Sequence, residues 1–211
     1  IKFFYLMPRL HNPLGTSYTP EEMEHLVFLA EKYDVYLVED DYMSDFAEKA
    51  PLHYYDTFER VIYLKSFSST IFPALRLAVV CLPTCLKQAF INYKKLMDYD
   101  THLILQKALA LYINNGMYAK NTHYLKERYH KQVEEGEALA AHKFTLPPHS
   151  IRYHHVLLDV SAFKKNKLTK LLRLSEPLSD FYVNPKAQRV VQVSSADRLE
   201  QMLDLIREDL P

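Results

Sequence analysis

Two short stretches hold most of the residues in this chain whose types and spacing could do chemistry. Ser66-Phe67-Ser68-Ser69-Thr70 sets four hydroxyls within five positions, and Arg76 follows seven residues after Ser69. Hydroxyls donate single hydrogen bonds and a guanidinium grips an oxyanion with two, so such a set can hold an anion. The same residues also read as a serine-rich turn followed by a strand with one edge arginine. Glu39-Asp40-Asp41-Tyr42 sets three carboxylates and a phenol side by side. That run is open to two plain readings, a solvated acidic loop or a weak divalent-cation site with oxygen ligands. A third stretch, Asn12-Pro13-Leu14-Gly15, is by itself a β-turn, because asparagine, proline and glycine are turn residues in any fold.

The elements that must carry these stretches follow from periodicity. Lys2 to Met7 is an apolar strand closed by Pro8 and the turn at 11–15. Thr19-Pro20-Glu21-Glu22 is a capping box with proline at the first helical position. Met23, Leu26, Val27, Leu29 and Ala30 then give the buried stripe of a helix running to about Tyr33. Val35 to Val38 is a continuous apolar strand, as in a parallel sheet covered on both faces. It places the 39–42 carboxylates at a strand's C-terminal end, where open α/β sheets bind ligands. Val61 to Leu64 is a second such strand leading into the serine loop, and Leu75 to Leu82 is a third. Helices are expected over Pro83 to about Leu96, Thr101 to about Asn115 and Tyr118 to about His142. In the last of these, Tyr124, Leu125, Tyr129, Val133 and Leu139 are packing candidates. After Pro147-Pro148 the pattern becomes strand (Val156 to Val160), helix (Phe163 to Leu174), strand (Arg189 to Val193) and helix (Ala196 to Leu210). The order implies an α/β domain followed by a compact α+β subdomain, with the boundary placed near Gly116: residues 1–116 and 117–211.

Taken together and in order, the three stretches resemble the cofactor site of fold-type I pyridoxal-phosphate (PLP) enzymes. The nearest likeness is to the aminotransferase-like half of MocR-type GntR transcription regulators. Asn12-Pro13-Leu14-Gly15 resembles the N-P-T-G turn, and Glu39 to Phe46 resembles E-D-D-Y-x-S-x-F. Ser66 to Arg76 resembles the loop S-F-S-K-T-x-F-P-G-L-R. The resemblance implies the C-terminal part of a PLP-dependent transferase-like large domain, mainly parallel sheet with helices, followed by the α+β small domain. It implies that Asn12 and Tyr42 face the cofactor's phenolic oxygen and that Asp40 pairs with the ring nitrogen. Ser66, Ser68 and Arg76 would hold its phosphate. The likeness covers most of the first 85 residues well and rests beyond Gly116 on the element pattern.

The departures carry as much information. Ser69 stands at the lysine position of the resembled loop, and a serine hydroxyl cannot form an imine with an aldehyde. Lys65 belongs to the strand end rather than the loop tip, so it does not substitute. Ala74 and Ala78 replace usual glycines. Gln192, in Arg189-Val190-Val191-Gln192-Val193, stands where aminotransferases carry an arginine for the substrate carboxylate, with Arg189 three residues away. The family's phosphate-binding helix and ring-stacking aromatic would lie upstream of Asn12, so a fragment is expected, exposing a sheet edge or apolar face that a partner chain covers.

Composition bounds the function. Of 211 residues, 26 are Lys or Arg and 26 Asp or Glu, giving zero net charge, unlike a domain that grips nucleic acid through phosphates. Three glycines, Gly15, Gly116 and Gly136, exclude a dinucleotide G-x-G-x-x-G loop and a Walker A loop. Cys81 and Cys85 read as free thiols in a strand end and the following turn, buried rather than zinc-binding. His154-His155 would point to opposite faces of a strand and reads as structural. The sixteen tyrosines read as packing rather than nucleic-acid stacking. The expectation is a cytoplasmic, non-membrane, homodimeric module, non-catalytic because of Ser69. It would sense an amino acid, amine or B6 vitamer, with PLP bound non-covalently at best and DNA bound only through an N-terminal domain outside this chain. The alternative is a PLP-dependent aminotransferase whose lysine has been replaced by engineering.

Overall fold

A computed structural model describes residues 2–12, 15–98 and 101–141, and beyond these only 151–152, 155–159, 176–177, 190–193 and 201. The chain divides into two compact units, residues 1–11 with 16–127, and residues 12–15 with 128–211.

The first unit is built on a four-stranded sheet in the order β1 (Phe3–Leu6), β2 (Tyr36–Asp40), β3 (Val61–Ser66), β4 (Ala78–Cys81). β1 to β2 and β2 to β3 are parallel pairs, and β3 to β4 is antiparallel. This is the expected α/β architecture with a mainly parallel sheet. Between β1 and β2 runs α1 (Pro20–Lys32), which starts where the capping box demands: Thr19 Oγ1 accepts from the Glu22 amide at 3.2 Å, and Glu22 Oε2 accepts from the Thr19 amide at 2.7 Å. Its stripe Met23, Val27 and Ala30 packs with Leu6, Leu37, Val61 and Leu52 into one apolar cluster. Leu52 belongs to a short 3-10 turn, Leu52–Tyr55.

Register assigns the two faces of this sheet. Leu6, Glu39 and Tyr63 stand side by side, as do Tyr5 and Val38 on the opposite face, with Asp40 beside Leu64. The face under α1 is the buried one. β1 stands at one edge of the sheet, and its Phe3, Phe4 and Tyr5 are each more than half exposed.

The first strand expectations need two adjustments. β2 runs through Glu39 and Asp40, which lie at its C-terminal end as expected, so the apolar run is lengthened by two residues. The third expected strand is shortened to β4, because Pro73–Leu75 forms a 3-10 turn and Arg76 adopts a left-handed backbone with φ 51°. The helices α2 (Thr84–Met97), α3 (Leu103–Asn114) and α4 (Met117–Ala141) follow. Gly116, at φ +72° between α3 and α4, takes the left-handed conformation that ends a helix. Cys85 is a correction: it lies in the first turn of α2 and is exposed, with Sγ 3.2 Å from the Tyr36 hydroxyl. Tyr124 is a second correction, being 55% exposed, while Tyr129 is buried.

In the second unit the described strands form an antiparallel sheet ordered β5 (Ile151–Arg152), β6 (His155–Asp159), β8 (Val190–Val193), β7 (Glu176–Pro177). The strands expected at Val156 and Arg189 are β6 and β8. Gln192 faces Leu157 on one side and Glu176 on the other. Arg189, His154 and most of the two expected helices lie outside the described residues.

Candidate functional site

The three carboxylates of Glu39-Asp40-Asp41 do three different things, because successive strand residues face opposite ways. Glu39 points into the covered face and is fully buried, its two oxygens each 2.8 Å from the amides of Leu52 and His53. Burial pushes its carboxyl up to about 7 against the pull of those two amides. Asp41 is also buried, and Arg9 reaches it through Nε at 3.1 Å and through a second nitrogen. The Tyr63 hydroxyl donates to the same carboxylate at 2.8 Å, and burial and Asp41 together raise the Tyr63 phenol. Arg9 also donates to the Lys49 carbonyl. A solvated acidic loop therefore does not describe these residues. Among the described residues no group of three or more His, Cys, Asp or Glu is placed to hold a metal.

Asp40 alone turns to the other face. Its Oδ2 accepts from the Tyr5 hydroxyl at 2.5 Å, and burial followed by this contact pushes the Tyr5 phenol up to about 12. A carboxylate at the C-terminal end of a parallel strand can pair with a cationic ring nitrogen or amine. Tyr42, two residues on and in the turn after β2, directs its hydroxyl to the Leu10 carbonyl at 3.4 Å.

The serine loop leaves β3 at Ser66 and closes one turn on itself, the Thr70 and Ile71 amides both donating to the Phe67 carbonyl. Ser66 Oγ accepts from the Ser68 amide at 3.2 Å. Ser69 donates its hydroxyl to the Tyr42 carbonyl at 2.8 Å, joining the loop to the segment after β2. Arg76 is exposed, and no ion pair among the described residues involves it. It lines a cavity of about 660 Å³ with Leu64, Ala78, Val80, Phe90 and Tyr93. Leu64 is the register neighbour of Asp40 and Ala78 that of Ser66. Asp40, Tyr42, Ser66, Ser68, Ser69 and Arg76 thus come from adjoining strand ends of the first unit. Asn12 is an exposed turn residue that belongs to the second unit.

Sequence reasoning missed the supports of this site. Lys65 Nζ lies 2.6 Å from Asp45 Oδ1, and Thr70 and Tyr118 donate to Asp45 Oδ2. Asn121 donates to the Thr70 carbonyl at 2.7 Å. The only signal available was charge: Lys65 near the end of β3 and Asp45 in the turn after β2 are opposite charges.

Residues 4–135 match the family model of class I and II aminotransferases. The chain belongs to the class I and II aminotransferase family. Its curated relatives carry regulatory names. It is 45% identical over 155 residues to the uncharacterized HTH-type transcriptional regulator YcxD of Bacillus subtilis, covering 69% of this chain and 35% of that protein. It is 29% identical over 132 residues to the probable rhizopine catabolism regulatory protein MocR of Rhizobium meliloti, covering 61% of this chain and 27% of that one. The chain thus spans about a third of the curated relatives it matches. Among solved structures, the kynurenine aminotransferase of Pyrococcus horikoshii superposes with a TM-score of 0.81 at 19% identity, over all of this chain and 57% of that one. The α-aminoadipate aminotransferase LysN of Thermus thermophilus gives 0.78 at 18%, over 98% of this chain and 58% of that one. The resemblance of the three motifs to this family, and within it to MocR-type regulators, is borne out, and the fold is that of the PLP-dependent transferases.

Proposed function

We propose that this aminotransferase-family chain is the effector-sensing and dimerisation part of a transcription regulator and does not catalyse transamination. The observation that carries the reading is Ser69, whose hydroxyl is donated to the Tyr42 carbonyl at 2.8 Å at the loop tip where the resembled enzymes have lysine. The nearest lysine in sequence, Lys65, is held in an ion pair with Asp45 at 2.6 Å. The donor set fits non-covalent holding of a PLP-like ligand and does not fit a covalent anchor. PLP, when bound, supplies an electron-accepting pyridine ring and a phosphate handle. Asp40 would hold the proton on the ring nitrogen, Tyr42 would face the phenolic oxygen, and Ser66, Ser68 and Arg76 would take the phosphate. An amino acid or amine would present its cationic nitrogen to the same Asp40. DNA binding belongs to a helix-turn-helix part of the kind named in the relatives. No helix among the described residues is long and apolar enough to cross a membrane.

The test uses the whole protein, incubated with PLP, treated with borohydride and examined by intact mass and peptide mapping. Retained, dialysable PLP without an adduct is the expected result, and Ser69→Lys is expected to convert it to a trapped adduct. A trapped adduct on a native lysine, or transamination by the whole protein, would overturn the reading and restore the enzyme.

A further inference from the structure

Asp45 occupies a variable position of the E-D-D-Y-x-S-x-F segment, yet it is the most heavily engaged side chain around the serine loop. Lys65 on the loop's near shoulder and Thr70 on its far shoulder both bind this one carboxylate, at 2.6 and 2.5 Å. Tyr118, in the first turn of α4, donates to it as well. One turn further along α4, Asn121 donates to the Thr70 carbonyl at 2.7 Å. The Tyr118 ring packs edge-on against Phe67 inside the loop, with centroids 5.8 Å apart, and the Lys65 ammonium lies over both rings. Burial works to raise the Asp45 carboxyl, but Lys65, Thr70 and Tyr118 together hold it below the usual carboxylate range. The carboxylate is 10% exposed, so these contacts form where water competes little.

We propose that Asp45 is the positioning residue that fixes the serine loop for its ligand and ties that loop to the start of α4. In its ligand arm the inference rests on the reading of the loop as a phosphate holder; the tie between loop and helix stands without it. A carboxylate that grips both shoulders sets where Ser66 and Ser68 point. The same carboxylate receives Tyr118, so a shift of the loop alters a contact at the N-terminal turn of α4. The helix is thereby the element that registers occupancy of the loop.

Charge and position predict opposite signs, which makes the role testable. Removing a carboxylate near an anion site tightens phosphate binding by Coulomb's law alone. A positioning role predicts that Asp45→Asn weakens it. In the whole protein, Asp45→Asn should weaken PLP binding by about tenfold or more, the usual scale for a lost charged hydrogen bond. Binding of pyridoxal, which lacks the phosphate, should be unchanged. Tyr118→Phe keeps the ring and removes only the hydroxyl, and should weaken PLP by about threefold. Tighter PLP binding in Asp45→Asn, or an equal loss for PLP and pyridoxal, would overturn the positioning role.

The second measurement is amide hydrogen exchange of the ligand-free protein. Tyr118→Phe should speed exchange at Thr70 and Ile71, whose amides close the loop turn, on the order of several-fold, while α1 keeps its protection. Unchanged exchange at those amides would overturn the tie between loop and helix even if PLP binds. If wild-type protein binds no PLP, the phosphate reading fails by itself and the exchange result still decides the tie.

Discussion

On one face of the first sheet Leu37, Glu39 and Val61 lie buried beneath α1 and the 52–55 turn, whereas on the other Val38, Asp40, Ile62 and Leu64 are only half-buried. Both faces carry a carboxylate from the same strand, one residue apart. On the covered face Glu39 is given to architecture, fastening a turn through two amides, and the neighbouring Asp41 is locked to Arg9. On the open face Asp40 accepts from the Tyr5 hydroxyl. A run of acidic residues at a strand end is therefore not one cluster, because the period of two sends neighbouring carboxylates to opposite faces of the sheet.

The sharpest way to break this division is Arg9→Ala, which leaves the Asp41 carboxylate buried without its cation. It should cost about 3–5 kcal/mol by chemical denaturation, and a loss under about 1 kcal/mol would mean that Asp41 is not an architectural group. Leu37→Ala, a cavity beneath α1, should cost about 3 kcal/mol in the same measurement. Glu39→Gln sharpens the comparison through pH. The folded carboxyl titrates near about 7 against an ordinary 4.5, so the folded protein binds this proton more tightly than the unfolded chain. Stability from Glu39 is then full below 4.5 and falls as pH rises towards about 7. Wild type should accordingly lose stability relative to Glu39→Gln across that window and hold a constant difference above it. A difference independent of pH would contradict this placement. Smallest of all, Tyr5→Phe on the open face should change stability by less than about 1 kcal/mol.

Much of the fold was legible. Thr19 and Glu22 announced the start of α1 because a capping box satisfies two orphan amides locally, needing nothing beyond four residues. The apolar runs at 36–38 and 61–64 announced adjacent strands. The site was legible only as residue types. Asp40, Tyr42, Ser66, Ser68 and Arg76 were singled out by the family resemblance, but residue type alone did not tell Asp40 from Glu39 and Asp41; the register of β2 gives the physical difference. Arg9, Asp45 and Tyr118 escaped because their partners lie 32, 20–25 and 73 residues away, and no local pattern encodes such pairings.

The sequence by itself determined the family, the order of elements in the first unit and the chemical fact of Ser69, since these depend on residue identity and short-range spacing. Only the tertiary structure decided which carboxylate faces the open side, where Lys65 is engaged and what holds the serine loop. The reason is physical: a charge inside a fold is defined by what is packed around it, and those groups come from distant parts of the chain.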